Sequence, residues 1–288
     1  MNICLNFLTV SQTIVTFTKL IALKQFTRLL LPLCADYNDE RTGNTQEIIM
    51  KRRLFRPALL IGSLLIAGAG LHIAHANVFE SAVSAYENEE YAEAIESFRE
   101  AAEDGNADAQ FNLGLMYLKG EGVDEDYAQA LEWFTKSAEQ GNVRAETNLA
   151  RMYAQGKGVA PDYGTAVSWF RKAADQGYPD AQYSLGVLYV TGNAVPLNYK
   201  QAQDLFQKAA DQGNASAQYQ LGLMYFKGKG MKPDLVEGYK WMVLAGEYDD
   251  AAVYREYAEK QLSEEQIEKA KALAEEWQTA FDENTTES

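Results

Sequence analysis

Asp108–Asn142 reads DAQFNLGLMYLKGEGVDEDYAQALEWFTKSAEQGN, and the same pattern returns three more times at a fixed step. Gly105, Gly141, Gly177 and Gly213 lie 36 residues apart, as do Tyr117, Tyr153, Tyr189 and Tyr225. A period of this length specifies one supersecondary unit per repeat, stacked into an array. Within the unit the apolar residues fall at helical spacing. Ala109, Leu113, Met116 and Tyr117 share one face of a first helix, which Gly120-Glu121-Gly122 ends. Asp126 is placed to cap a second helix, with Gln129 in the capping-box position. Asp162/Thr165, Asn198/Gln201 and Asp234/Glu237 repeat the device. The second helix carries Ala130, Trp133, Phe134 and Ala138 on one face and stops at Gly141. The expected fold is all-α, a solenoid of antiparallel helix pairs.

The run A-x-x-x-L-G-x-x-Y-x-x-G-x-G-V followed by D-Y-x-x-A-x-x-W-F-x-K-A-A-x-x-G resembles the Sel1-like repeat, a relative of the tetratricopeptide repeat. The resemblance implies a right-handed α/α solenoid. Departures are local. Ala150 replaces the helix glycine in the second unit and Ala194 a loop glycine in the third. Leu205 stands for the tryptophan in the third, and Leu235 for the tyrosine in the fourth. None of them breaks a helix or a cap.

Working outward, the units are expected at 108–142, 143–178, 179–214 and 215–248. A shorter tetratricopeptide-like unit at 77–107 precedes them. A capping helix pair at 249–281 follows, in which Ser263 and Gln266 form a capping box and Leu262 and Ile267 a hydrophobic staple. Residues 282–288 are polar and are expected to be disordered. Residues 50–76 have the form of a secretory signal peptide. Lys51, Arg52, Arg53 and Arg56 are its basic region, Ala58–Leu71 its apolar core and Ala74-His75-Ala76 its cleavage motif. This predicts a mature start at Asn77 and a periplasmic location. Met50 is then expected to be the initiator, with residues 1–49 upstream sequence translated in error. The alternative is a membrane-associated extension over Ile3–Leu33, which Lys19, Lys24 and Arg28 argue against.

The whole chain carries a net charge of −15, and both cysteines (Cys4, Cys34) and both histidines (His72, His75) precede Asn77. From Asn77 onward, 18 Lys+Arg stand against 37 Asp+Glu. Such a chain repels phosphate backbones, so nucleic acid is not an expected partner. Without His, Cys, a Ser-x-x-Lys or a Gly-x-Ser-x-Gly, no catalytic residue, metal ligand or cofactor is assigned. The tryptophan series Trp133, Trp169 and Trp241 reads as core, and the Gly-x-Gly loops as helix stops and not phosphate cradles. Some members of the family staple each repeat with a disulfide; this chain does not.

The remaining candidate is the inner face formed by the first helices. Residues between the core positions point to it: Phe111, Asn112, Leu115, Arg144, Asn148, Arg151, Tyr183, Val187, Tyr219, Gln220, Leu223 and Phe226. The expected function is a non-enzymatic adaptor in the bacterial envelope that holds an extended segment or a helix of a partner protein, as a monomer. Side-chain amides gripping a peptide backbone is what the resemblance implies for Asn112 and Asn148. A glycan ligand, a membrane-anchored envelope regulator, and a hydrolase acting on cell wall or β-lactams are the alternatives.

Overall fold

A computed structural model describes residues 78–286. The expectations on residues 1–77, including the signal peptide and its cleavage site, lie outside the described residues. The described residues form helices alone. After α1 (78–87) come α2 (Tyr91–Glu103), α3 (Ala107–Lys119), α4 (Tyr127–Glu139), α5 (Val143–Gln155), α6 (Tyr163–Asp175), α7 (Pro179–Thr191), α8 (Tyr199–Ala210), α9 (Ala215–Lys227), α10 (Leu235–Leu244), α11 (Ala251–Glu259) and α12 (Glu264–Thr286). Odd-numbered helices from α3 to α9 are the first members of each unit; α4 to α10 are the second. From α3 to α10 each helix contacts the helix before it and the helix after it in the chain.

Local chemistry sets these boundaries. Asn106, Asn142 and Asn214 cap the first helices by accepting from the amides of Ala109, Ala145 and Ala217. Asp126, Asp162, Asn198 and Asp234 cap the second helices in the same way. Each such cap is worth about 1 kcal/mol. The capping-box arm expected from Gln129 and its counterparts is replaced by another bond. The cap amide donates to the carbonyl of the repeated tyrosine: Asp126 to Tyr117, Asp162 to Tyr153, Asn198 to Tyr189 and Asp234 to Tyr225. That main-chain bond closes each loop at a fixed length. A reciprocal box does form at Ser263 and Gln266.

Packing follows from residue size. Gly114 lets Phe134 press against the first helix, since a Cβ there would sit 2.8 Å from the ring. Phe98, Phe134 and Phe206 are each fully buried in this position between helices. A polar ladder runs beside them. Gln140 donates to Gln110 at 2.7 Å, Gln176 to Glu146 at 2.9 Å and Gln212 to Gln182 at 3.0 Å. Gln110, Gln182 and Gln218 in turn donate to the carbonyls of Ala102, Ala174 and Ala210. A glutamate cannot make that last bond. Where Glu146 stands, Lys172 supplies it, donating to the Ala138 carbonyl at 3.2 Å while pairing with Glu146 at 2.8 Å. Glu146 is wholly buried and Lys172 is 46% exposed, so the lysine brings the countercharge in from solvent.

At the C-terminal end, α12 lies against α10. Trp277 meets Trp241 edge-on at 6.2 Å and stacks on Phe281 at 5.1 Å, and Phe281 covers Gly213. The helix runs on through Thr286, so the disorder expected from Asp282 does not hold for 282–286. Phe281 is anchored, and Asn284 and Thr285 bond back to the carbonyls of Ala280 and Phe281.

Candidate functional site

The first helices are buried on two flanks. Ala109, Leu113 and Met116 face the preceding unit around Phe98, whereas Phe111 faces Phe134. Only a narrow strip of each first helix stays accessible, and α3 shows its spacing: Asn112 and Leu115 are half-buried and Lys119 is exposed.

This corrects two of the expected inner-face residues. Phe111 is buried, with its ring 5.8 Å from Phe134, and Tyr219 is buried among Met242, Ala245 and Ala251. Both belong to the core because the buried arc of a helix packed on two sides is wider than one apolar stripe. Leu115 leans on the Phe111–Phe134 cluster, Val187 on the Phe206–Leu221 cluster, and Leu223 and Phe226 on the Met242 cluster; all four are half-buried.

The cations of the strip are engaged within the array. The Arg144 guanidinium lies 4.5 Å over the Phe111 ring and donates to Asp108 at 2.9 Å. Arg151 is 3.7 Å from Asp180, and Asn214 donates to the same aspartate at 2.8 Å. Asn148 donates to the Arg144 carbonyl, one turn back on its own helix. Phe111, Arg144 and Asn148 are thus gathered at the N-terminal half of the strip, with Asn112 on the same helix as Phe111.

Tyr183, Tyr219, Gln220 and Phe226 come together at the other half. Gln220 and Tyr248 neighbour the Tyr183 hydroxyl; burial first, and Tyr248 second, push that hydroxyl up to about 12. Burial and then the Asp249 carboxylate push the Tyr219 hydroxyl up to about 12 as well. Phe226 stacks on Tyr254 at 5.9 Å with an interplanar angle of 13°, and Tyr257 meets its edge at 6.2 Å. Tyr248, Tyr254 and Tyr257 are absent from the sequence-based set, which treated 249–281 as a cap. A signal for them does exist. If the spacing shortens by two residues after the fourth unit, Ala251 falls in register with Ala217, and Val253, Tyr254 and Tyr257 fall in register with Tyr219, Gln220 and Leu223. α11 therefore continues the row of first helices.

The tryptophans lie in the packing. Trp133 and Trp241 are buried and Trp169 is partly buried, and lysines Lys136, Lys172 and Lys240 cover their rings. Among the described residues there is no group of three His, Cys, Asp or Glu side chains placed to hold a metal ion, and no helix long and apolar enough to cross a membrane.

Comparison with known proteins agrees with this architecture. The Sel1 repeat model matches residues 107–142, 143–178, 179–214 and 215–247. A Sel1 repeat protein from Oxalobacter formigenes is similar at 31% identity and a TM-score of 0.61, over 69% of this chain and 84% of its own. A protective antigen of uropathogenic Escherichia coli strains, described as displaying an SLR fold, is similar at 36% identity and a TM-score of 0.61, over 67% of this chain. This chain spans 43% of that antigen's length. No curated protein matches.

Proposed function

The chain belongs to the Sel1 repeat family, and from that premise we propose that it is a non-catalytic adaptor of the bacterial cell envelope, holding a segment of a partner protein along the accessible strip of its first helices. The observation that carries this reading is the continuity of the strip. It passes from Asn112 and Leu115 on α3 to Tyr254 and Tyr257 on α11, presenting amides and aromatic rings over a backbone whose hydrogen bonds are already made. A rigid scaffold with adaptable side chains at its surface binds without first paying to order itself. The family generally mediates protein–protein contacts. Export rests on the basic, apolar and Ala-His-Ala sequence of residues 50–76.

The test is site-specific photo-crosslinking in cells expressing the whole chain. A benzoyl-phenylalanine at Val187 or Gln220, on the strip, is expected to give protein adducts. The same group at exposed Lys208 on α8 is expected to give none. Adducts from 208 and none from 187 or 220 would move binding to the row of second helices. Mass spectrometry of the mature N-terminus checks the export reading, with Asn77 the expected first residue.

A further inference from the structure

Three of the five large hydrophobic side chains that are most exposed among the described residues fall in one short segment: Tyr248 at 36%, Val253 at 60% and Tyr257 at 51%. They adjoin the Phe226–Tyr254 stack and the Tyr219 ring, which lies 5.6 Å from Tyr248 and 6.1 Å from Tyr254. Asp249 and Asp250 lie in the same segment. Asp249 holds a left-handed backbone, φ 48°, and its carboxylate neighbours the Tyr219 hydroxyl. Asp250 stands at the N-cap of α11 but its carboxylate makes no cap bond. Among the described residues neither aspartate is in an ion pair. Arg255, the nearest arginine in sequence, is spent on the carbonyls of Met242 and Gly246 and on Glu247.

The N-terminal half of the strip shows what such a combination holds. There Phe111 supplies a ring, Asp108 a carboxylate, and Arg144 lies between them. At α11 the rings and the carboxylates are present, and the one cation over the rings, Lys227, is in no ion pair with either aspartate among the described residues. An aromatic face beside a carboxylate favours a guanidinium or ammonium group over a neutral or anionic one, because the ring quadrupole and the charge act in the same direction. Lys227, 5.7 Å from the Tyr254 ring, shows that a cation can approach these rings from one side.

Resting on the adaptor reading above, we propose that the α11 end of the strip is a subsite for arginine or lysine side chains carried by an extended segment of the partner protein. Tyr248, Tyr254 and Tyr257 supply the ring faces, and Asp249 and Asp250 the countercharge. The partner segment is therefore basic, and it enters with its cationic residues at the C-terminal end of the array.

The experiment is fluorescence anisotropy of a labelled peptide of alternating arginine and alanine against the whole chain, beside a glutamate–alanine peptide and chitohexaose as competitor. The Arg–Ala peptide is expected to bind and the Glu–Ala peptide not. Tyr257→Ala and the double variant Asp249→Asn/Asp250→Asn should each weaken binding about tenfold. Tyr257→Phe should retain it, since the ring face is kept. All substitutions are on exposed side chains, and equal helicity by circular dichroism is the folding control. A second control, Glu132→Gln/Glu139→Gln on α4, removes the same charge elsewhere; a loss there equal to that at Asp249/Asp250 would mean bulk attraction to an acidic protein and would overturn the subsite. So would absence of Arg–Ala binding, preference for the Glu–Ala peptide, or displacement by chitohexaose. Adducts from 187 and 220 without peptide binding remove the subsite alone; absence of those adducts removes the groove reading.

Discussion

Ala194 occupies a left-handed backbone position, φ 59°, where the other units have glycine. In those units the loop glycine presses on the start of a second helix, and a Cβ at Gly158 would lie 2.4 Å from the Tyr127 carbonyl. At Ala194 the methyl group is real, and Tyr163, which holds the position of Tyr127 one repeat on, is 45% exposed. A non-glycine residue in this conformation costs about 1–2 kcal/mol, while glycine loosens the unfolded chain by about 0.4–1 kcal/mol. Ala194→Gly is therefore expected to stabilise the protein by about 0.5–1 kcal/mol in urea unfolding. Gly158→Ala should destabilise it by more than that. A second residue-scale prediction concerns Glu146. Glu146→Gln restores the bond that Gln110, Gln182 and Gln218 make and should be close to neutral, whereas Glu146→Ala removes a wholly buried side chain and its bonds to Gln176 and Lys172 and should cost about 1–2 kcal/mol. Sequence shows the Gln-to-Glu exchange, but the rung it enters is invisible there, because its partner Gln176 lies 30 residues away on another helix.

At the scale of helices, the sequence carried most of the information. Asp126 and its three counterparts cap where their side chains and the apolar stripes say they should. What it did not carry was the width of the buried arc. Phe111 and Tyr219 look surface-facing on a one-stripe wheel and are core in a helix gripped from two sides. Nor could polar residues such as Asn284 and Thr285 announce that α12 continues, since the anchor is Phe281 on Gly213, a contact between distant units. That anchor is testable. Trp277→Ala removes the ring that joins Trp241 to Phe281, and for a half-buried aromatic the expected loss is about 2–3 kcal/mol. Hydrogen exchange should show it first in residues 264–286, with α3 to α6 unchanged, because in an array each unit senses only its neighbours.

The whole molecule inherits a pH limit from its tyrosines. The hydroxyls of Tyr183, Tyr219 and Tyr239 are all pushed up to about 12, burial being the largest cause and a neighbouring Tyr248, Asp249 or Glu259 the next. The folded chain therefore holds these protons more tightly than the unfolded chain, whose tyrosines titrate near the ordinary value of 10. Their contribution is fully present below pH 10 and is lost as pH rises toward 12. Thermal melts across this window should fall steeply, and Tyr239→Phe, which cannot ionise, should flatten part of the fall.

Each rung of the polar ladder is contained within one unit: Gln110 with Gln140, Glu146 with Lys172 and Gln176, Gln182 with Gln212. From its neighbour a rung needs only a main-chain carbonyl, which any unit supplies. A gene segment encoding one unit thus carries its own buried chemistry, exceptional charge included. Unequal crossing-over could lengthen or shorten the array by whole units without stranding a charge in the interior, and the Glu146 unit could be copied as it stands.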